Sequence, residues 1–232
     1  MNNLFDTTIQ TFLSHYAFAS PAFNHAVRVV AGQIMFKGLV LVPILCFIWF
    51  RPGDRKSWER EMVVATVASG IISLAAGRML AACLPFRTRP LFDPALHNLF
   101  PSVGLDHTAV STWSSFPSDH AMLWMSVATG IFLVGRSVGV LALLYAAVFI
   151  CLPRVYLGLH HPTDVLAGAA IGIVITIVAT RDAVRRRVAA PILQWMQRSP
   201  GIAYTLAFLL FFELVTQFDE ALLVLHATAH TL

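Results

Sequence analysis

An all-α fold, a polytopic bundle of six transmembrane helices forming one domain over residues 1–232, is predicted by three features of the chain. It is 57% hydrophobic and only 12% charged, with a mean hydropathy of +0.72, outside the range of soluble domains. Apolar runs of about 20 residues, long enough to cross a bilayer, recur between short polar connections. Lysine and arginine concentrate in alternate connections, as in multispanning proteins. At about 20 residues per span plus connections, a chain of 232 residues holds roughly five to seven spans and no second domain.

In chain order, residues 1–27 carry Phe5, Ile9, Phe12, Leu13 and Tyr16 at helical spacing among polar residues. This pattern fits either an amphipathic helix lying in the interface or a short packing helix. No basic n-region precedes an uninterrupted apolar core, so no cleavable signal peptide is expected and the first span serves as its own insertion signal. Spans are predicted at roughly 29–50, 61–84, 119–135, 138–153, 163–180 and 202–218. Arg51, Arg55, Lys56 and Arg60 follow the first span, Arg136 the third, and Arg181, Arg185, Arg186, Arg187 and Arg198 the fifth.

Basic connections stay in the cytoplasm, so the termini, the 85–118 loop and the 154–162 loop face the extracytoplasmic side of the cytoplasmic membrane. The net charge of +4 is thus a topology signal. A nucleic-acid footprint is not expected, since the aromatics lie in the spans instead of alternating with basic residues. The Arg185–Arg187 run reads as an anchor touching anionic lipids. Gly168 and Gly172 permit close helix packing, whereas Lys37 and Glu213, inside spans one and six, read as snorkelling or boundary residues. Cys46, Cys83 and Cys151 sit in apolar stretches, with neither disulfide nor zinc spacing.

Ionisable groups at membrane depth cost about 2.5–3.5 kcal/mol each at the bilayer centre, so they mark function. Three such clusters fall at helix ends on one face: Arg87-Thr88-Arg89-Pro90, Pro117-Ser118-Asp119-His120, and Arg154 with His160, His161 and Asp164. Arg89 and Arg154 offer planar forks for a phosphate. Ser118 and Asp119 open the third span, where free backbone N–H groups favour an anion.

Asp164 follows His160 by four residues, the spacing at which its carboxylate can accept the Nδ1 proton. Nε2 of His160 is then free to attack phosphorus while His120 protonates the leaving oxygen. That design needs neither metal nor cofactor. Asp93, His97, Asp106 and His107 in the outer loop, and His226 and His230 near the C-terminus, match no ligand spacing. His161, adjacent to His160, reads as structural.

These residues resemble the type 2 phosphatidic acid phosphatase superfamily, whose pattern comprises Lys-x6-Arg-Pro, Pro-Ser-x-His and Ser-Arg-x5-His-x3-Asp segments. The second is present as Pro117–His120 and the third as Arg154, His160 and Asp164. The resemblance implies that His160 is the nucleophile, Asp164 its orienter and His120 the general acid. Arg89, Ser118, the Asp119 backbone and Arg154 form the phosphate cradle. Two positions depart from the pattern: Pro153 replaces the serine before Arg154, and Ala82 stands where the first lysine belongs. Arg87 and Arg78 are equal candidates for the missing cation.

The Pro-Ser-Asp-His variant is similar to bacterial undecaprenyl-diphosphate phosphatases of this superfamily. The implied activity is hydrolysis of a lipid phosphate or diphosphate through a phosphohistidine. Undecaprenyl diphosphate is the favoured substrate, with phosphatidate or phosphatidylglycerophosphate the alternative. A transporter is the rival of another class, and its repeats and broken midplane helices are not visible here. A non-catalytic membrane subunit is the second rival, favoured by the Pro153 and Ala82 departures.

Overall fold

The structure, a computed structural model, describes residues 3–96, 99–101 and 111–218; His97, Asp106, His107, His226 and His230 lie outside them. All regular structure among the described residues is helical: α1 (Leu4–Ala19), α2 (Pro21–Gly32), α3 (Ile34–Lys37), α4 (Leu41–Phe50), α5 (Lys56–Cys83), α6 (Asp119–Val134), α7 (Arg136–Tyr156), α8 (Pro162–Ala179), α9 (Asp182–Arg198) and α10 (Pro200–Thr216). Of these, α5, α7 and α8 are long and apolar enough to cross a membrane, while α4, α6 and α10 are shorter apolar helices.

Each predicted span therefore has an apolar helix in its place, but the first is not continuous. The chain leaves helix after Gly32 and again after Lys37, and packing supplies the reason. A Cβ on Gly38 would come within 2.3 Å of the Trp124 ring, so the backbone itself presses on α6 there. The predicted 1–27 segment is likewise two helices, divided where Ser20 caps α2 and Pro21 opens it.

Helix α9 falls where only a basic connection was expected. Its Arg185 is buried, bonded to Glu61 at 3.0 Å, to Asp182 at 2.9 Å and to the Thr180 carbonyl at 3.2 Å. This arginine clamps α9 to α5, which corrects its reading as a lipid anchor.

At the centre, α6 packs between α5 and α8 through small residues. On α8, a Cβ at Gly168 would lie 2.5 Å from the Ser118 carbonyl and one at Gly172 would lie 2.2 Å from that of Met122. The G-x-x-x-G is thus an intramolecular seam. The hydroxyls of Ser69, Ser126 and Thr176 satisfy one another across the three helices at 2.6–3.1 Å, as polar groups buried among apolar helices must.

Leu41, Leu45, Leu123, Trp124, Val127 and Ile131 are buried around this core, whereas Phe47, Leu141 and Phe208 are about two-thirds exposed. Apolar side chains thus cover the outside as well as the inside, the pattern of a helix bundle solvated by lipid. Helix α1 carries this arrangement to its limit: Phe5, Phe12 and Tyr16 face outward while Asp6 and Gln10 are buried.

Candidate active site

Close packing of α5, α6 and α8 gathers the three polar clusters at one end of the bundle. Gly158, at φ +69°, makes the left-handed turn between α7 and α8. Its carbonyl accepts from Leu91 N at 2.9 Å, which draws the 87–91 segment onto the turn. The Arg154 carbonyl accepts from Leu159 N at 2.9 Å and His160 N at 3.2 Å, folding the turn back on α7. Ser118 N donates to the Asp164 carbonyl at 3.2 Å and joins the starts of α6 and α8.

His160 sits at the centre, almost fully buried. Its Nδ1 donates to the Ser115 carbonyl at 2.7 Å, and its Nε2 lies 3.4 Å from a terminal nitrogen of Arg89. The expectation that Asp164 takes the Nδ1 proton is corrected by this geometry. Asp164 Oδ2 is 4.0 Å from Nδ1, too far for a hydrogen bond, and instead accepts from Ser115 Oγ at 2.5 Å and His161 N at 2.8 Å. Ser115 intervenes because its hydroxyl reaches the carboxylate while its carbonyl reaches the imidazole. Burial, and then the Arg89 cation, push the His160 pKa well below the ordinary histidine value.

His120 is held by the residue before it: Asp119 Oδ1 accepts from His120 Nδ1 at 2.9 Å and from His120 N at 2.8 Å. The other ring nitrogen, Nε2, stays available for chemistry, and His160 and Arg154 lie within electrostatic reach of the ring. Ser118 is fully buried, and its hydroxyl caps α6 by accepting from Ala121 N at 3.4 Å.

The arginines divide sharply. Among the described residues, Arg89 donates to main-chain carbonyls, Leu159 at 2.9 Å and Trp113 at 3.3 Å, besides its approach to His160. Arg154 donates to the Ala31 carbonyl at 3.4 Å. Arg87 instead spends one terminal nitrogen on Asp164 and Thr163 Oγ1 and the other on Asp6 Oδ2 at 2.8 Å. Arg78 donates to the Gln217 carbonyl at 2.7 Å and follows Gly77, whose Cβ would lie 3.3 Å from Asp119 Cα.

His161 is structural, as expected: Nδ1 accepts from Gln10 Nε2 at 3.3 Å, so Nε2 carries the proton and donates to the Thr88 carbonyl at 3.2 Å. Sequence reasoning missed Ser115, Asp6 and Gln10. Only the last two carry any signal, a polar pair one turn apart among the several polar residues of α1. It also set Lys37 aside, although Lys37 lies within electrostatic reach of His120.

A family model described as the PAP2 superfamily matches residues 58–187, and the chain belongs to that superfamily. The matched stretch runs from α5 into α9 and holds every predicted site residue. The bacitracin transport permease protein BcrC of Bacillus licheniformis is 30% identical over 123 residues, 51% of this chain and 54% of that protein. The match thus spans about half the length of this curated relative. Among solved structures, that of Aquifex aeolicus LpxE shares the fold, with a TM-score of 0.52 and 23% identity over 77% of this chain and 96% of LpxE.

Proposed function

We propose that this multi-pass membrane protein is a lipid phosphatase, acting as a single domain on a lipid phosphate or diphosphate at the extracytoplasmic face of the cytoplasmic membrane. The observation that carries the reading is the seat of His160. Its Nδ1 proton is spent on the Ser115 carbonyl, so the lone pair of Nε2 is directed toward the Arg89 guanidinium, where an anionic phosphoryl group would bind.

Nε2 of His160 attacks phosphorus, a phosphorus–nitrogen bond forms, and the bond to the lipid oxygen breaks. His120, protonated on both nitrogens and steadied by Asp119, gives its Nε2 proton to that oxygen. The returned neutral His120 takes a proton from water, whose oxygen attacks the phosphohistidine, releases phosphate and restores His160. Arg89 and Arg154 hold the phosphoryl oxygens, with the Asp119 backbone N–H at the start of α6. Arg78 supplies the third cation, because it lies within electrostatic reach of Asp119 while Arg87 is occupied by two carboxylates. Undecaprenyl diphosphate is the favoured substrate, on the resemblance of the Pro117–His120 variant.

Phosphate release by the detergent-solubilised protein should be measured on undecaprenyl diphosphate, phosphatidate and phosphatidylglycerophosphate. Turnover is expected, fastest on the isoprenyl diphosphate, with an acid-labile phosphoprotein that His160→Ala abolishes. Release from none of the three would overturn the reading.

A further inference from the structure

Helix α1 lies outside the stretch matched by the family model, which begins at residue 58, yet it buries two polar side chains beside the inward-packed Ile9 and Leu13. Asp6 and Gln10 are each 1% exposed, while Leu4, Phe5, Phe12 and Tyr16, at 46–82%, are turned outward. A buried carboxylate is retained only with partners, and every partner of Asp6 belongs to the site's supporting shell. Oδ1 accepts from Thr163 N at 2.9 Å; Oδ2 accepts from Thr163 Oγ1 at 2.7 Å and from Arg87 at 2.8 Å. Asp6 thereby caps the first turn of α8 from another helix and shares Arg87 with Asp164.

One turn along, Gln10 donates to His161, whose Nε2 holds the Thr88 carbonyl at 3.2 Å. These two polar residues of α1 thus grip both segments that meet at the phosphate pocket, 87–89 and 160–164. We propose that α1 is a working part of the active site. Asp6 is a positioning residue that sets Asp164 through Arg87 and Thr163, and with it the line from Ser115 to His160. Gln10 fixes the turn that carries Arg89. The proposal rests on the phosphatase reading.

Asp6 bonds to Thr163 and Arg87, neither of which is placed on the phosphoryl group, so its loss acts on the alignment of the nucleophile. With Asp6 gone, the full charge of Arg87 falls on Asp164 Oδ1 and draws that carboxylate away from Ser115. Asp6→Ala should lower kcat on the order of 10- to 100-fold, the scale of one charge-assisted hydrogen bond. KM should stay within about twofold, because binding in ground and transition states is otherwise unchanged. Asp6→Asn should fall between, since its amide oxygen still caps Thr163.

In the Arg87→Ala background, removing Asp6 should cost less than it does in the wild type, because their shared contact is already gone and only the bonds to Thr163 remain to be lost. Thr8→Ala, on the exposed face of the same helix, should match wild type. Thermal unfolding of each variant in detergent checks that the fold persists; should Asp6→Ala not fold, Asp6→Asn and the Arg87 cycle carry the test. Wild-type turnover with an unaffected kcat in Asp6→Asn, a loss confined to KM, or additive effects of Asp6 and Arg87 would each sink the proposal and leave the phosphatase reading standing. Absence of turnover in the wild type would instead sink the phosphatase reading.

Discussion

Asp164→Asn separates a direct carboxylate–histidine dyad from the relay seen here. The carboxylate binds Arg87 through Oδ1 and, through Oδ2, Ser115 Oγ at 2.5 Å and His161 N at 2.8 Å, while His160 Nδ1 stays 4.0 Å away. An asparagine keeping its oxygen toward Ser115 and His161 turns its amide toward Arg87, so one charge-assisted contact is lost. Such a contact is worth about 1.5–3 kcal/mol, or roughly 10- to 100-fold in kcat at one decade per 1.4 kcal/mol. The His160 tautomer should survive because the Ser115 carbonyl sets it. In a direct dyad the amide inverts the tautomer, and the loss is about 10⁴-fold. Single-turnover phosphate release, with thermal unfolding to check the fold, measures the difference. A 10⁴-fold loss in a folded variant would show that Asp164 takes the Nδ1 proton itself.

His160 lies in the turn before α8, where burial and Arg89 depress its pKa. The nucleophile must be neutral, so activity should persist as pH falls through about 6.5, the ordinary histidine value, and be lost only lower. Arg89→Gln should move that acid limb upward in a kcat/KM profile, and a wild-type limb at or above 6.5 would contradict the assignment. Gly172→Ala would place a methyl 2.2 Å from the Met122 carbonyl and should cost at least about 1–3 kcal/mol of stability. Gly201→Ala, with nothing within 4 Å of its Cβ, should leave thermal unfolding unchanged or slightly raised. Activity should survive EDTA and be inhibited by vanadate, a five-coordinate phosphorus mimic; loss with EDTA and recovery with Mg²⁺ would contradict a cradle built on arginines. Reporter fusions after residues 57 and 187 should read cytoplasmic and one near residue 105 external; the reverse would overturn the facing of the site.

The long apolar helices were legible because lipid on one side and packing on the other leave no polar stripe: α5, α7 and α8 show it in hydropathy alone. The break in the first span was not, because the apolar run continues across Gly38 and only the Trp124 ring opposite it makes the interruption necessary. Helix α9 was hidden for the opposite reason. Its arginines look like a solvated connection, and Arg185 is buried because Glu61, on α5, meets it along with Asp182 and the Thr180 carbonyl. The spacing in α1 shows an amphipathic helix but does not say which side chains meet the protein, and here Asp6 and Gln10 are buried beside the half-buried Ile9 and Leu13 while Phe5, Phe12 and Tyr16 are exposed.

In the site, the side chains that the structure gathers could be picked out by type and spacing, while the groups that hold them in place could not. The acceptor for His160 is a main-chain carbonyl, which any residue at position 115 would provide, and Thr163 is 157 positions from its partner Asp6. Arg87 and Arg89 differ for the same reason. They stand two residues apart in one segment, Arg89 expected in the cradle and Arg87 as a candidate for its missing cation; Arg87 is bonded to two carboxylates and Arg89 to carbonyl oxygens and an imidazole. A guanidinium matched by carboxylates has its field cancelled at short range, whereas carbonyl dipoles orient Arg89 and leave it a full unit charge. Arg87 therefore holds the frame, and Arg89 is the guanidinium set against the His160 imidazole. That division of labour is set by Asp6, a residue on a helix that the catalytic motifs do not include.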